Sequence, residues 1–177
     1  MRARKCQAYL EYFHKNAAGE YVYSGGYYTF EGGEPARKRA ITALWSILGA
    51  AAGLTLLGSF LPVPGLTHVW YVLVPYVAAV ISVLSGLWSL GEITAGGEPL
   101  REYVYDRAVK RFRLRTLLAA VFSGLACLGE GIYLLSGHGL TVAAGVFLGW
   151  EAASAAAGAA CFVLFSRLRW RKKQEEI

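Results

Sequence analysis

AITALWSILGAAAGLTLLGSFLPVPGLTHVWYVLVPYVAAVISVLSGLWSLG, residues 40–91, runs for 52 positions without an aspartate, glutamate, lysine or arginine. A soluble domain carries about a quarter charged residues and intersperses them. Here 17% of the chain is charged and the charges are segregated. Such a stretch has room for two membrane crossings of about 20 residues each. Pro62 and Pro64 divide it, because proline cannot continue a helix.

Outward from this stretch the pattern persists. All 18 lysines and arginines lie within residues 2–39, 101–115 and 167–173. Between Thr116 and Ser166 the only formally charged residues are Glu130 and Glu151. Basic clusters alternating with apolar runs mark a multi-pass protein whose basic loops stay cytoplasmic. The expected fold is an all-α integral membrane protein with four transmembrane helices, near 41–61, 70–91, 116–136 and 140–166. They form two antiparallel hairpins, with both termini and loop 92–115 in the cytoplasm. The chain divides into a Tyr-rich basic segment (1–39), the transmembrane domain (40–168) and a basic tail (169–177). Residues 1–39 hold no apolar core, so the first apolar run is expected to be a retained anchor rather than a cleaved signal. This fits a bacterial inner membrane. The net charge of +6 does not imply nucleic acid, because the cations abut apolar runs. Arg37, Lys38, Arg39, Lys110, Arg111, Arg113 and Arg115 are expected to meet anionic lipid headgroups.

The first segment crowds Tyr9, Tyr12, Phe13, Tyr21, Tyr23, Tyr27, Tyr28 and Phe30 into a short polar stretch. Glu20–Tyr23 and Tyr27–Phe30, flanking Ser24-Gly25-Gly26, read as a β-hairpin. A lone hairpin is marginally stable, so it must lean on the membrane, on loop 92–115 or on a partner. Residues 99–115 read as a short surface helix in the headgroups, with an Asp106–Lys110 pair. A weak internal echo joins Gly32–Pro35 to Gly96–Pro99 and Glu20–Tyr23 to Glu102–Tyr105.

Glu130 and Glu151 are the strongest functional candidates, because a carboxyl inside a spanning helix is costly. Measured from Arg115 and Arg167 they lie about 22 and 24 Å deep, on one level. Measured from the 137–139 turn they differ by about 7 Å. Two such carboxyls can exchange protons for an ion or cationic substrate. Alternatively, each protonated carboxyl hydrogen-bonds a backbone carbonyl or serine on the next helix. Gly49 and Gly53, and Gly145 and Gly149 continued by Ala153, form GxxxG faces suited to helix packing or oligomer contact. The face bearing Glu151 also holds Ala144, Phe147, Ser154, Ala155 and Gly158, opposite Gly149. Ser82, Ser85, Gly86 and Ser89 suit hydrogen bonds to neighbouring helices or the lining of a polar path, with packing the favoured expectation. His68 and His138 fall in the outer turns. Cys6, Cys127 and Cys161 show no metal-ligand spacing.

No nucleophile–base pair, metal motif or phosphate loop is present, so neither cofactor nor metal is expected and enzymatic function is disfavoured. The leading expectation is an accessory or assembly subunit that packs with itself or a membrane-protein partner. The alternative is a small proton- or ion-coupled transporter using Glu130 and Glu151.

Overall fold

The computed structural model describes residues 12–15 and 19–173. Cys6 and Tyr9 lie outside them, as do the side chains of His14 and His138. In chain order the elements are β1 (Phe13–Lys15), β2 (Tyr21–Tyr23), β3 (Tyr27–Phe30), α1 (Gly33–Gly58), α2 (Pro64–His68) and α3 (Trp70–Ala95). Then come β4 (Leu100–Arg101), α4 (Glu102–Gly137), α5 (Val142–Ser166) and β5 (Trp170–Lys173). Helices α1, α3, α4 and α5 are each long and apolar enough to cross a membrane.

The four long helices close a ring: α1 and α4 each pack against both α3 and α5. Their buried positions recur every seven residues, as left-handed packing requires. On α1 these are Arg37, Leu44, Ala51 and Gly58, with Leu48 and Thr55 between them. On α3 they are Val72, Ala79, Gly86 and Ile93, interleaved with Tyr76, Val83 and Leu90. On α4 the series are Phe112, Ala119, Ala126, Tyr133 and Thr116, Ser123, Glu130. On α5 they are Ala144, Glu151, Gly158, Phe165 and Phe147, Ser154, Cys161. Cys127 and Cys161 are free thiols.

Where helices approach closely, glycine sits at the crossing. A Cβ at Gly158 would fall 2.8 Å from the Ala120 amide nitrogen of α4. One at Gly129 would fall 3.0 Å from the Tyr71 carbonyl oxygen of α3. Pro75 carries no N–H to bind that carbonyl, which is therefore free to rest against α4. By contrast, a Cβ at Gly49, Gly53, Gly145 or Gly149 would meet nothing within 4 Å. These glycines and Ala153 are exposed. The GxxxG faces therefore do not pack this chain's own helices together. Packing falls to glycines in phase with the buried repeat.

One end of the bundle carries a cap, and here the structure corrects the sequence reading. Strands β2 and β3 do not pair with each other. β2 pairs with β1, and β3 is the central strand of an antiparallel sheet of order β4-β3-β5. Tyr27 opposes Arg101 and Lys173, and Tyr28 opposes Leu100 and Lys172. The sheet thus ties the first segment to the α3–α4 connection and to the basic tail, part of which is a strand. Residues 102–115 form no separate surface helix. They are the first turns of α4, with Ala108, Val109 and Phe112 buried.

Aromatic rings fill the space under the sheet. The rings of Tyr28 and Tyr105 stack at 3.9 Å, and Trp170 meets Tyr105 and Phe30 edge-on. Glu102 fastens three pieces of chain. Its carboxylate accepts the Gly26 N–H at 2.8 Å and pairs with Lys172 at 2.7 Å. Its own N–H donates to the Gly26 carbonyl at 2.9 Å. The Glu102 carboxylate holds the Lys172 ammonium above its ordinary pKa.

Gly158→Ala should force α4 and α5 apart and destabilise the bundle by about 1–3 kcal/mol, the usual range for overpacking. Gly149→Ala should be neutral to within about 0.5 kcal/mol. Thermal unfolding of both variants in one mild detergent distinguishes these outcomes.

Candidate functional site

The buried face of α4 presents Thr116, Ser123 and Glu130, one polar residue every two turns. The buried face of α5 presents Glu151 and Ser154. α1 adds Thr55, and α3 adds Tyr76, Ser82 and Ser89. The ring of helices therefore encloses a polar seam along its axis.

Part of the seam is saturated by hydrogen bonds. Thr55 Oγ1 donates to Ser154 Oγ at 3.1 Å, and Ser154 Oγ lies 3.4 Å from the Ala51 carbonyl. The Tyr76 hydroxyl donates to the Thr55 carbonyl. These contacts join α1, α3 and α5. Nearer the cap, Thr116 Oγ1 returns its hydrogen bond to the Phe112 carbonyl.

The carboxyls differ. Glu130 and Glu151 are both 0% exposed, and none of their four oxygens has a hydrogen-bond partner among the described residues. Ser123 faces Glu151, yet its Oγ falls short of hydrogen-bond geometry. Tyr76 and Cys127 also lie within reach of Glu151's charge. Glu130 sits elsewhere, against Gly65 of α2, where an added Cβ would collide with the carboxyl. Gly65 is buried, so α2 covers Glu130 from the uncapped end.

Helix register settles the relative depth of the two. Cys127 Sγ reaches the Leu148 carbonyl, and Gly158 faces Ala120. In antiparallel helices with these pairings, Glu151 falls level with residues near 125, and Glu130 stands about 8 Å nearer the uncapped end. The two carboxyls are thus successive stations along the seam rather than a pair on one level. The ruler drawn from the 137–139 turn is the right one, because α5 extends further toward the cap than the apolar part of α4.

The basic residues divide. Arg37 is 8% exposed and turns inward, its Nη2 donating to the Ile93 carbonyl of α3 at 3.1 Å. Arg115 reaches across to α3, binding the Ser85 carbonyl at 2.9 Å and the Ser89 hydroxyl. These two cations therefore spend hydrogen bonds on a neighbouring helix. Lys38 pairs with Glu34 and Lys110 with Asp106, each at 2.6 Å. Arg39, Arg111 and Arg113 are exposed. Glu92, at the capped end of α3, pairs with Arg107 at 3.1 Å. His68 is exposed at the end of α2.

Among the described residues no cluster of three or more His, Cys, Asp or Glu could hold a metal ion. Compared with protein-family models, curated proteins and solved structures, the chain matches none.

Sequence reasoning found both carboxyls and raised a polar path along the serines of α3, but missed the hydroxyl series of α4 that faces them. The signal was present as Thr116, Ser123 and Glu130 at intervals of seven.

An unpartnered buried group contributes nothing that its removal would forfeit, whereas removing one half of a satisfied pair strands the other half. Glu151→Leu should therefore leave thermal stability unchanged or raised. Ser154→Ala, which deprives the Thr55 hydroxyl of its acceptor, should lower stability by about 0.6 kcal/mol, the average for interhelical hydrogen bonds in membranes. A destabilised Glu151→Leu protein would reveal a partner for the carboxyl.

Proposed function

We propose that this chain is a small membrane transporter that moves protons, or exchanges protons for a cation, through Glu130 and Glu151. One observation carries the reading. A structural role for these carboxyls requires each to donate a hydrogen bond to a neighbouring helix, and among the described residues none meets that geometry, Ser123 approaching Glu151 without completing it. A fully buried ionisable group without a structural partner is retained at a cost of about 1–3 kcal/mol, which function explains and packing does not. The hydroxyls of the seam provide further polar stations between the carboxyls and the capped end. In this reading both termini and loop 92–115 face the cytoplasm, by the placement of lysine and arginine, and the membrane is a bacterial plasma membrane.

The test uses vesicles containing the purified protein and a trapped pH indicator, challenged with sodium or potassium gradients. The wild type should acidify or alkalinise the lumen according to gradient direction. The Glu130→Gln, Glu151→Gln double variant should insert and assemble normally, yet show no flux, because Gln keeps hydrogen-bonding capacity but cannot titrate. Undiminished flux in the double variant would refute the reading.

A second reading, a non-enzymatic accessory or assembly subunit, rests on a different observation. The glycine faces of α1 and α5 point away from the bundle, where lipid, a second copy or a partner's helix must cover them. Small residues let helix backbones approach closely, which is how membrane helices associate. Under this reading Gly53→Leu and Gly149→Leu shrink the particle in mild detergent to a monomer while its thermal midpoint holds. A monomeric wild type would remove the self-association form of this reading.

A further inference from the structure

We propose that a cleft at the capped end, between the first turns of α4 and the last turn of α5, binds the phosphate of an anionic phospholipid. The cleft has a volume of about 270 Å³ and is walled by Tyr105, Lys110 and Arg113 of α4, Phe165 and Ser166 of α5, and Trp170 of β5. The assignment is independent of what Glu130 and Glu151 do.

Three observations define the ligand. The first is charge. Lys110 is compensated by Asp106, but Arg113 has no ion-pair partner among the described residues, and its guanidinium stands 5.0 Å from the centre of the Phe162 ring. The cleft thus holds one uncompensated cation beside a neutralised one, and favours a single negative charge. The second is an unused donor. The indole N–H of Trp170 is buried with no acceptor among the described residues, although three elements meet around the ring. A phosphodiester offers oxygen acceptors to a guanidinium and an indole together. The third is height. Basic residues cease on α4 after Arg115 and on α5 before Arg167, so the cleft lies at the boundary between charged and apolar surface. On the apolar side of that boundary Leu117 of α4 and Val163 of α5 are exposed and offer a track for acyl chains. Free phosphate would use the first two features and leave the third idle. Basic pockets between helices at this level are how membrane proteins hold acidic lipid headgroups.

The experiment measures lipid retained by the full-length protein in native mass spectra. The protein is exchanged into detergent with equimolar phosphatidylglycerol and phosphatidylcholine, and separately into detergent with inorganic phosphate. Both lipids carry a phosphodiester, but choline cancels its charge in phosphatidylcholine, so the uncompensated Arg113 should retain phosphatidylglycerol over phosphatidylcholine by about fivefold, the worth of one basic residue facing an anionic surface. Arg113→Gln should bring the ratio near unity. Trp170→Phe keeps the ring and removes only the donor to the phosphodiester that both lipids share, and should lower the retained amount of each severalfold without lowering the thermal midpoint in lipid-free detergent. Equal retention of both lipids, an unchanged ratio in Arg113→Gln, or unchanged retention of both lipids in Trp170→Phe, overturns the proposal. A thermal shift from inorganic phosphate with none from phosphatidylglycerol overturns the lipid assignment in favour of the free anion.

Discussion

A helix in a left-handed bundle returns to the same face after two turns, so whatever the sequence places at intervals of seven is enclosed together. In this chain that geometry encloses alanine, glycine and bulky apolar residues on every helix, and with them a run of hydroxyls and two carboxyls. Hydrocarbon gives helices no hydrophobic reason to associate, since lipid tails are as apolar as leucine. Close packing must therefore hold the ring, and it demands small side chains at the crossings. Gly86, Gly129 and Gly158 meet that demand against Leu48, Tyr71 and Ala120 respectively. The space that remains along the axis is narrow and polar.

The occupants of that axis are not equivalent. Thr55, Ser154 and Tyr76 form a closed set of hydrogen bonds across three helices and rigidify the middle of the bundle. The carboxyls, at and beyond this level toward the uncapped end, have no such closure among the described residues. The contrast within one seam argues against a general shortage of partners: the bundle that satisfies a threonine and a tyrosine leaves two carboxyls without a partner among the described residues. Glu130, under Gly65 of α2, is the station next to the uncapped end, and Glu151 is the next one in. Their offset of about 8 Å along the axis is alone too great for a shared proton.

The four long helices were legible because hydrocarbon excludes charge, and the charge-free runs of this sequence mark the spans to within a few residues. Their cap-side ends were not, because α1 begins at Gly33 and α4 at Glu102, within polar sequence that charge counting assigns to loops. The cap itself was hidden for a different reason. Glu-Tyr-Val-Tyr contributes strand β2 at Tyr21–Tyr23 and opens helix α4 from Glu102. The same four residues adopt two structures, so the decision lies in distant contacts. Strand β3 finds partners 70 or more positions away, in strands of two and four residues that carry no local signature. The Gly-Gly-Glu-Pro echo shares one backbone feature. Its second glycine takes a positive φ in both copies, 74° at Gly33 and 67° at Gly97, where each copy turns the chain into or out of a helix. A side chain at either position would be strained.

The glycine motifs show where pattern reading needs a phase. Gly49/Gly53 and Gly145/Gly149 satisfy GxxxG as well as any membrane dimer motif, yet each lies out of step with the buried heptad of its own helix. On α5 the inward series is Ala144, Glu151, Gly158, so Gly145 and Gly149 necessarily project away from Glu151 and toward the surroundings. Spacing alone says that two small residues share a face. Only the phase of that face relative to the apolar repeat says whether the chain uses it internally. A carboxyl in phase with the core and a glycine pair out of phase with it are therefore complementary consequences of one periodicity. The first places chemistry inside the ring, and the second leaves a smooth outer wall on which another helix or a lipid can lie.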